Sequence, residues 1–249
     1  MLYTLVALII MIASFLFAML GLGGGMIYVP VLKWAGFSVK EVAIPLGLLL
    51  NGLNTLFALI PYSRKKLVDW KGGSAMAVTA FIAAPVGAYS SRFVSVDTLM
   101  ILFAVMVFLA SVRMTVFAMQ AEPAHKIGAG KRAVIGMCVG TFAGFSGGLL
   151  GLGGGFIIAP ILMWLGYRTK EAAATTAYVV TFSSLSGYLG HVAEGHFNVL
   201  FTAMVVTAVI IGSQLGGSFM SGKAKTKWVK QLYAVVLLGV AIKLFVGAL

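Results

Sequence analysis

The sequence predicts an all-α polytopic membrane protein made of two inverted-topology repeats. Each repeat is expected to be a broken or re-entrant helical hairpin with a GLGGG tip plus three transmembrane helices. Three observations carry that prediction. Hydrophobic residues make up 61% of the 249 positions and charged residues 10%, where a soluble domain carries about 25% charged. Apolar runs long enough to cross roughly 30 Å of hydrocarbon recur along the chain. One glycine-rich segment occurs twice, Gly21–Ala43 and Gly151–Ala173, with thirteen of twenty-three positions identical. A β-barrel would need short segments of alternating polarity, and none are visible.

In chain order, the apolar segments of the first half are Leu2–Leu20, Met26–Gly36, Val42–Pro61, Gly72–Arg92 and Thr98–Phe117. Those of the second half are Ala133–Leu150, Phe156–Gly166, Ala172–His191, Phe197–Met220 and Trp228–Leu249. Met1–Leu20 lacks the basic start of a secretory leader and runs directly into the repeat, so it reads as part of the fold. Met26–Gly36 and Phe156–Gly166 are too short to cross: 11 residues span about 16 Å. Weaker matches extend the repeat, Leu102-Phe103-Ala104-Val105 with Leu232-Tyr233-Ala234-Val235. The expected plan is residues 1–120 as the first repeat, 121–132 as a cytoplasmic linker and 133–249 as the second repeat.

The net charge of +12 does not point to nucleic acid, because the charges fall in the gaps between apolar runs. Basic gaps face the cytoplasm. This assigns inside to Arg64–Lys71, to the linker and to Lys223–Lys230, and outside to the neutral Arg92/Asp97 gap and the acidic gap at Glu194. Phe37–Lys40 then falls outside and its repeat mate Tyr167–Lys170 inside. The halves are therefore expected to be inverted, with both chain ends outside. His191 and His196 flank Glu194 and read as a solvated outer turn rather than a metal site. The single Cys138 rules out an internal disulfide and reads as packing.

The glycines are the candidate site. Irregular backbone survives at membrane depth only inside protein or beside a water-filled cavity. Half-helices starting there present unpaired N–H groups and the positive end of a dipole. Two such ends brought together near the midplane make an anion site with no buried Lys or Arg. The expected substrate-binding residues are Gly21, Gly23, Gly24, Gly25, Gly151, Gly153, Gly154 and Gly155, with polar groups on the next helices: Asn51, Asn54, Thr181 and Ser184. Thr55 and Ser183 sit beside them, and Thr175, Thr176 and Tyr178 one to two turns earlier. The bland alternative is packing: small residues let helices approach, and Ser or Thr bond across them. It weighs most for Gly140, Gly144, Gly147 and Gly148, and equally with the site reading for Thr175, Ser186 and Gln214. No carboxylate lies in mid-helix, so neither a proton relay nor a cation site is expected. No catalytic residue, metal or cofactor is expected either.

The GLGGG-x-I-x-x-P-x-L pattern at Gly21–Leu32 and Gly151–Leu162, each followed by a Lys-Glu pair, resembles the TauE/SafE sulfite exporter family, also called the 4-toluene sulfonate uptake permease family. That resemblance implies a multi-pass transporter of the bacterial inner membrane. Its substrate would be a small sulfur-containing oxyanion such as sulfite or a sulfoacetate-like sulfonate, exported by alternating access. An anion-selective channel and a sulfonate uptake permease are the alternatives. The partners are then the anion and the lipid bilayer; small-residue faces leave a homodimer open.

Overall fold

The computed structural model describes residues 2–118, 125–191 and 198–222, together with positions 224, 225, 231, 235, 238, 239 and 242. Among these there is no strand. Helices α1 (Leu2–Ala18) and α2 (Gly25–Trp34) are joined by a turn at residues 19–24. A π-turn at Val39–Ala43 runs into α3 (Ile44–Arg64). Then come α4 (Trp70–Ser90), α5 (Val96–Ala118), α6 (Ala129–Leu150), α7 (Gly155–Trp164), α8 (Thr169–His191) and α9 (Val199–Ser221). Apart from those single positions, the segment Trp228–Leu249 lies outside the described residues, as do Glu194 and His196.

Val39–Arg64, Trp70–Phe93, Ala129–Leu150 and Val199–Ser221 are each long and apolar enough to cross a membrane. Helix α8 has 23 residues but carries Thr and Ser along its buried face. The half-length segments are 10-residue helices. Each ends on a left-handed glycine, Gly36 at φ +89° and Gly166 at φ +92°, the conformation that stops a helix. Helix α6 begins at Ala129, four residues ahead of the apolar run, so Lys131 and Arg132 are helical.

Helices pack chiefly across the halves. Helix α4 lies on α6 and α8, while α9 lies on α1 and α3, and α3 lies on α8. Glycines enable this. Along α6, Gly140, Gly144 and Gly148 seat against the backbone carbonyls of Met76, Ala80 and Ala84 on α4. On α9, Gly212 and Gly216 seat against the carbonyls of Met11 and Phe15 on α1. One-turn spacing of small residues lets the backbones approach to the limit set by Cα–H···O contacts. The packing reading of Gly140, Gly144 and Gly148 thus holds.

Helices α3 and α8 are antiparallel: Asn51 meets Ser184 and Thr55 meets Thr181. The two ends of the bundle differ. At one end Lys126 bridges Asp69 (3.5 Å) and Glu171 (3.1 Å), and Arg132 reaches Asp69 (3.7 Å). The Tyr167 hydroxyl donates to Asp69 Oδ2 (3.0 Å), and Lys126 Nζ lies 4.2 Å from the Tyr167 ring centre. Partial burial pushes the Asp69 carboxyl up, but the Gly72 N–H, the Tyr167 hydroxyl, Lys126 and Arg132 together bring it below its ordinary value. At the other end Tyr3, Phe37 and Phe201 stack at centroid distances of 4.8 to 6.3 Å. Helix α4 runs from the ionic end to the aromatic end, and α9 runs the opposite way. A single contact marks both: Lys40 Nζ donates to the Arg92 carbonyl (3.4 Å), and 130 residues later Lys170 Nζ donates to the Gly222 carbonyl (3.0 Å).

His191 corrects the sequence reading of a solvated turn. It is 1% exposed, and its Nε2 lies 3.3 Å from the Gly148 carbonyl at the end of α6. The repeat mate of that carbonyl, on Ala18, sits 2.9 Å from the Tyr62 hydroxyl, which also contacts the Met19 carbonyl at 2.8 Å. Carbonyls at the ends of α1 and α6 lose their helical partners, and side chains at the ends of α3 and α8 reach those of Ala18 and Gly148.

Candidate functional site at the glycine turns

Each glycine run folds into a turn that only glycine makes without strain. Gly23 has φ +69° and Gly153 φ +70°, the left-handed region where a Cβ is penalised. Gly21, Gly151 and Gly154 share that region, while Gly24 has φ −104°. The two turns touch. A Cβ on Gly25 would come 2.9 Å from Leu152 Cα, and one on its repeat mate Gly155 would come 2.8 Å from Leu22 Cα. Repeat-mate residues thus make the same contact in each turn.

Asn51 stands between the turns. It is fully buried and is the thirteenth residue of the 26-residue span Val39–Arg64. Its Oδ1 accepts from the Gly25 amide at 2.8 Å, and its Nδ2 donates to Ser184 Oγ at 2.8 Å. A Cβ on Gly23 or Gly153 would collide with its amide. Asn54, with its amide oriented to suit its neighbours, accepts from the Gly24 amide (3.3 Å) and the Tyr28 hydroxyl (3.0 Å) and donates to the Ser14 carbonyl (3.3 Å). Thr181 donates to Thr55 at 2.9 Å or back to the Ala177 carbonyl at 2.7 Å. Ser183 donates to the Gly153 carbonyl at 2.8 Å.

Eleven of the twelve sequence-predicted residues lie together: the eight glycines in the paired turns, with Asn51, Asn54 and Ser184 against them; Thr181 bonds instead to Thr55 and the Ala177 carbonyl. Thr175 and Ser186 do not join. Thr175 Oγ1 accepts from the Asp69 amide (3.1 Å) and Ser186 donates to the Phe81 carbonyl (2.6 Å), so both tie α8 to α4. Gln214 is half-buried on α9. Two members were missed. Ser14 and Tyr28 are fully buried, and their hydroxyls lie 2.6 Å apart beside Asn54. The repeat could have found them, since their mates are Gly144 and Ile158; a polar group unmatched in the other half is where the halves differ in chemistry.

The site has no side chain of formal charge and no metal-ligating cluster among the described residues. Its chemistry is that of neutral donors: backbone N–H groups at helix starts, amides and hydroxyls. Such a set suits an anion and offers little to a cation.

Comparison with known proteins agrees on class. The family model described as Sulfite exporter TauE/SafE matches residues 6–244. The chain is 27% identical to a probable membrane transporter protein, YunE, of Bacillus subtilis, covering 94% of both chains. It is 25% identical to a probable membrane transporter protein of Haemophilus influenzae, again over 94% of both. A shorter stretch, 31% of this chain and 16% of the relative, is 36% identical to sulfite exporter TauE/SafE family protein 3 of Arabidopsis thaliana. No solved structure matches. With multiple apolar helices, a glycine-built polar centre and a family match over nearly its whole length, the chain is a multi-pass membrane transporter belonging to the TauE/SafE sulfite exporter family.

Proposed function

We propose that this protein exports a small sulfur-containing oxyanion, sulfite or a sulfoacetate-like sulfonate, across the bacterial inner membrane by alternating access. The anion binds near the bilayer midplane, at the N-termini of α2 and α7. The observation that carries this reading is the meeting of the two glycine turns around Asn51, halfway along the Val39–Arg64 span. The halves are inverted repeats whose hairpins α1–α2 and α6–α7 carry the glycine turns at their tips. Three facts support that: α3 and α8 are antiparallel repeat mates, α4 and α9 run oppositely, and the Lys40 and Lys170 contacts mark opposite ends. A two-fold axis lying perpendicular to spanning helices is the relation found in inverted-repeat carriers.

Export needs no coupled ion. In a cell negative inside, the potential contributes about 2.3 kcal/mol per 100 mV to an exiting monovalent anion. Purified protein in liposomes loaded with sulfite is the test. Efflux should saturate with sulfite and accelerate when a potassium diffusion potential makes the interior negative. Flux that ignores voltage and follows only an imposed proton gradient would overturn the uncoupled mechanism, and absence of sulfite or sulfonate flux would overturn the substrate class.

A further inference from the structure

The two glycine turns match in backbone but not in what faces them. In the first half, the starting amides of α2 are already occupied: Asn51 accepts from Gly25 and Asn54 from Gly24. The repeat mates of these asparagines are Thr181 and Ser184. Thr181 bonds to Thr55 and the Ala177 carbonyl, and Ser184 accepts from Asn51. Neither reaches the start of α7. Ile157 and Ile158 donate to the Gly154 carbonyl, but among the described residues the amides of Gly155 and Phe156 have no acceptor. A helix start deep in protein without a cap is costly unless something else accepts from it.

A second polar group lies on the helix that packs against α7. Thr176 is fully buried, and its hydroxyl has no hydrogen-bond partner among the described residues. This is unusual in the chain: buried Ser14, Thr55, Ser146 and Thr181 each bond back to a carbonyl one turn earlier. Thr176 belongs to the stripe of α8 that faces α7. Thr169 contacts Met163 Sδ (3.8 Å), Val180 Cγ1 lies 3.1 Å from where a Gly153 Cβ would sit, and Ser183 donates to the Gly153 carbonyl. Positions 169, 176, 180 and 183 are spaced by seven, four and three, one helical face. On that face Thr176 falls between Thr169, which meets Met163, and Val180, which meets Gly153. Its repeat mate is Leu46, equally buried.

We propose that the substrate is held on one side of the pseudo-symmetric centre, by the first turn of α7, with Thr176 as the side chain that selects it. The α2 turn, sealed by Asn51 and Asn54, is the structural partner. The two open amides and the Thr176 hydroxyl supply three neutral donors, which matches the three oxygens of an –SO3 group, in sulfite or in a sulfonate. This rests on the anion-transport reading and narrows its pair of helix starts to the one at α7.

The test uses the full-length protein in lipid nanodiscs, with sodium sulfite as probe and oxygen excluded. Thr176→Val keeps the shape and removes the hydroxyl, and should weaken sulfite affinity roughly tenfold or more, since a hydrogen bond to a charged group is lost. Thr176→Ser should restore binding, and Leu46→Val should leave it unchanged. Independently, hydrogen exchange in the wild-type protein should slow on sulfite addition in peptides covering 153–158 but not in those covering 23–28. That measurement decides alone if Thr176→Val does not fold. Wild-type sulfite binding that is intact in Thr176→Val, or exchange that slows equally in both turns, overturns the lopsided site and leaves anion transport standing. A wild-type protein that binds neither sulfite nor sulfoacetate overturns both.

Discussion

Asn51 and Ser184, 133 positions apart, are joined by a 2.8 Å hydrogen bond that ties α3 to α8 beneath both glycine turns. The same amide holds the Gly25 N–H, so one side chain fixes the start of α2 and the contact between halves. Replacing Asn51 with Leu strands the Gly25 amide and the Ser184 hydroxyl in the protein interior. Each stranded group costs about 1–3 kcal/mol. The unfolding midpoint in detergent should fall by roughly 2–4 °C for each kcal/mol. Ser184→Ala strands only the Asn51 Nδ2 and should cost less; equal effects of the two would contradict this arrangement.

Gly153→Ala should be worse than its position in a turn suggests. Its φ of +70° penalises a Cβ by about 1–2 kcal/mol, and the added methyl meets the Asn51 amide and Ser184 hydroxyl. Gly36→Ala has the same sign of φ but open space around it, so only the backbone penalty applies. Thermal melts of the two variants compared side by side check this, with Gly153→Ala the lower.

The α6 glycine stripe predicts a packing defect. Gly144→Leu drives a side chain into the Ala80 carbonyl of α4, an overpacking that costs about 1–3 kcal/mol or forces α4 away. Gly130→Leu, on the same helix with nothing nearby, should be neutral. Yields of monodisperse protein on size-exclusion chromatography separate the two.

The ionic end gives stability a pH and salt dependence. The folded Asp69 carboxyl lies below its ordinary value of about 3.9. Its contribution is therefore complete above roughly pH 4 and is lost as pH falls through the lower folded value. Asp69→Asn should cost stability at neutral pH and nothing once the wild-type carboxyl is protonated. Partial exposure keeps each ion pair worth about 0.2–1 kcal/mol, and added salt should shrink the difference. A gap between wild type and variant that persists at acid pH would assign it to Asp69 as helix cap rather than to charge.

Inversion is directly testable. In a Cys138→Ser background, cysteine at Lys40 should react with a membrane-impermeant maleimide on intact spheroplasts, and cysteine at Lys170 only after permeabilisation. Labelling of both from the same side would put the two Lys contacts on one face and end the inverted-repeat reading.

Much of this was legible in sequence because membranes restrict the choices. Apolar run length located the helix ends to within a few residues, and glycine runs marked where helices had to stop. Asn51, Asn54, Thr181 and Ser184 stood out because polar groups in apolar helices must meet something. What they would meet was not legible. Sequence spacing could not say that Asn51 and Asn54 would spend their oxygens on the α2 amides while Thr181 turned to Thr55. His191 was misplaced for a related reason: a histidine next to a polar gap reads as solvated, and only the packing of α8 against α6 buries it on the Gly148 carbonyl. Ser14 and Tyr28 each look ordinary alone and acquire meaning only as a pair across the first turn.

The crossed packing of the halves has a consequence for how such a chain can be made. Helix α4 rests on α6 and α8, and α9 on α1 and α3, so each half leaves its widest contact surface to the other. Neither half should fold alone during synthesis. Helices α1 to α5 are then expected to wait in lipid until α6 and α9 leave the ribosome with the glycine stripes that seat on α4 and α1. A protein split between residues 118 and 125 should accumulate only when both fragments are expressed together, the behaviour of an obligate dimer that one peptide segment has joined.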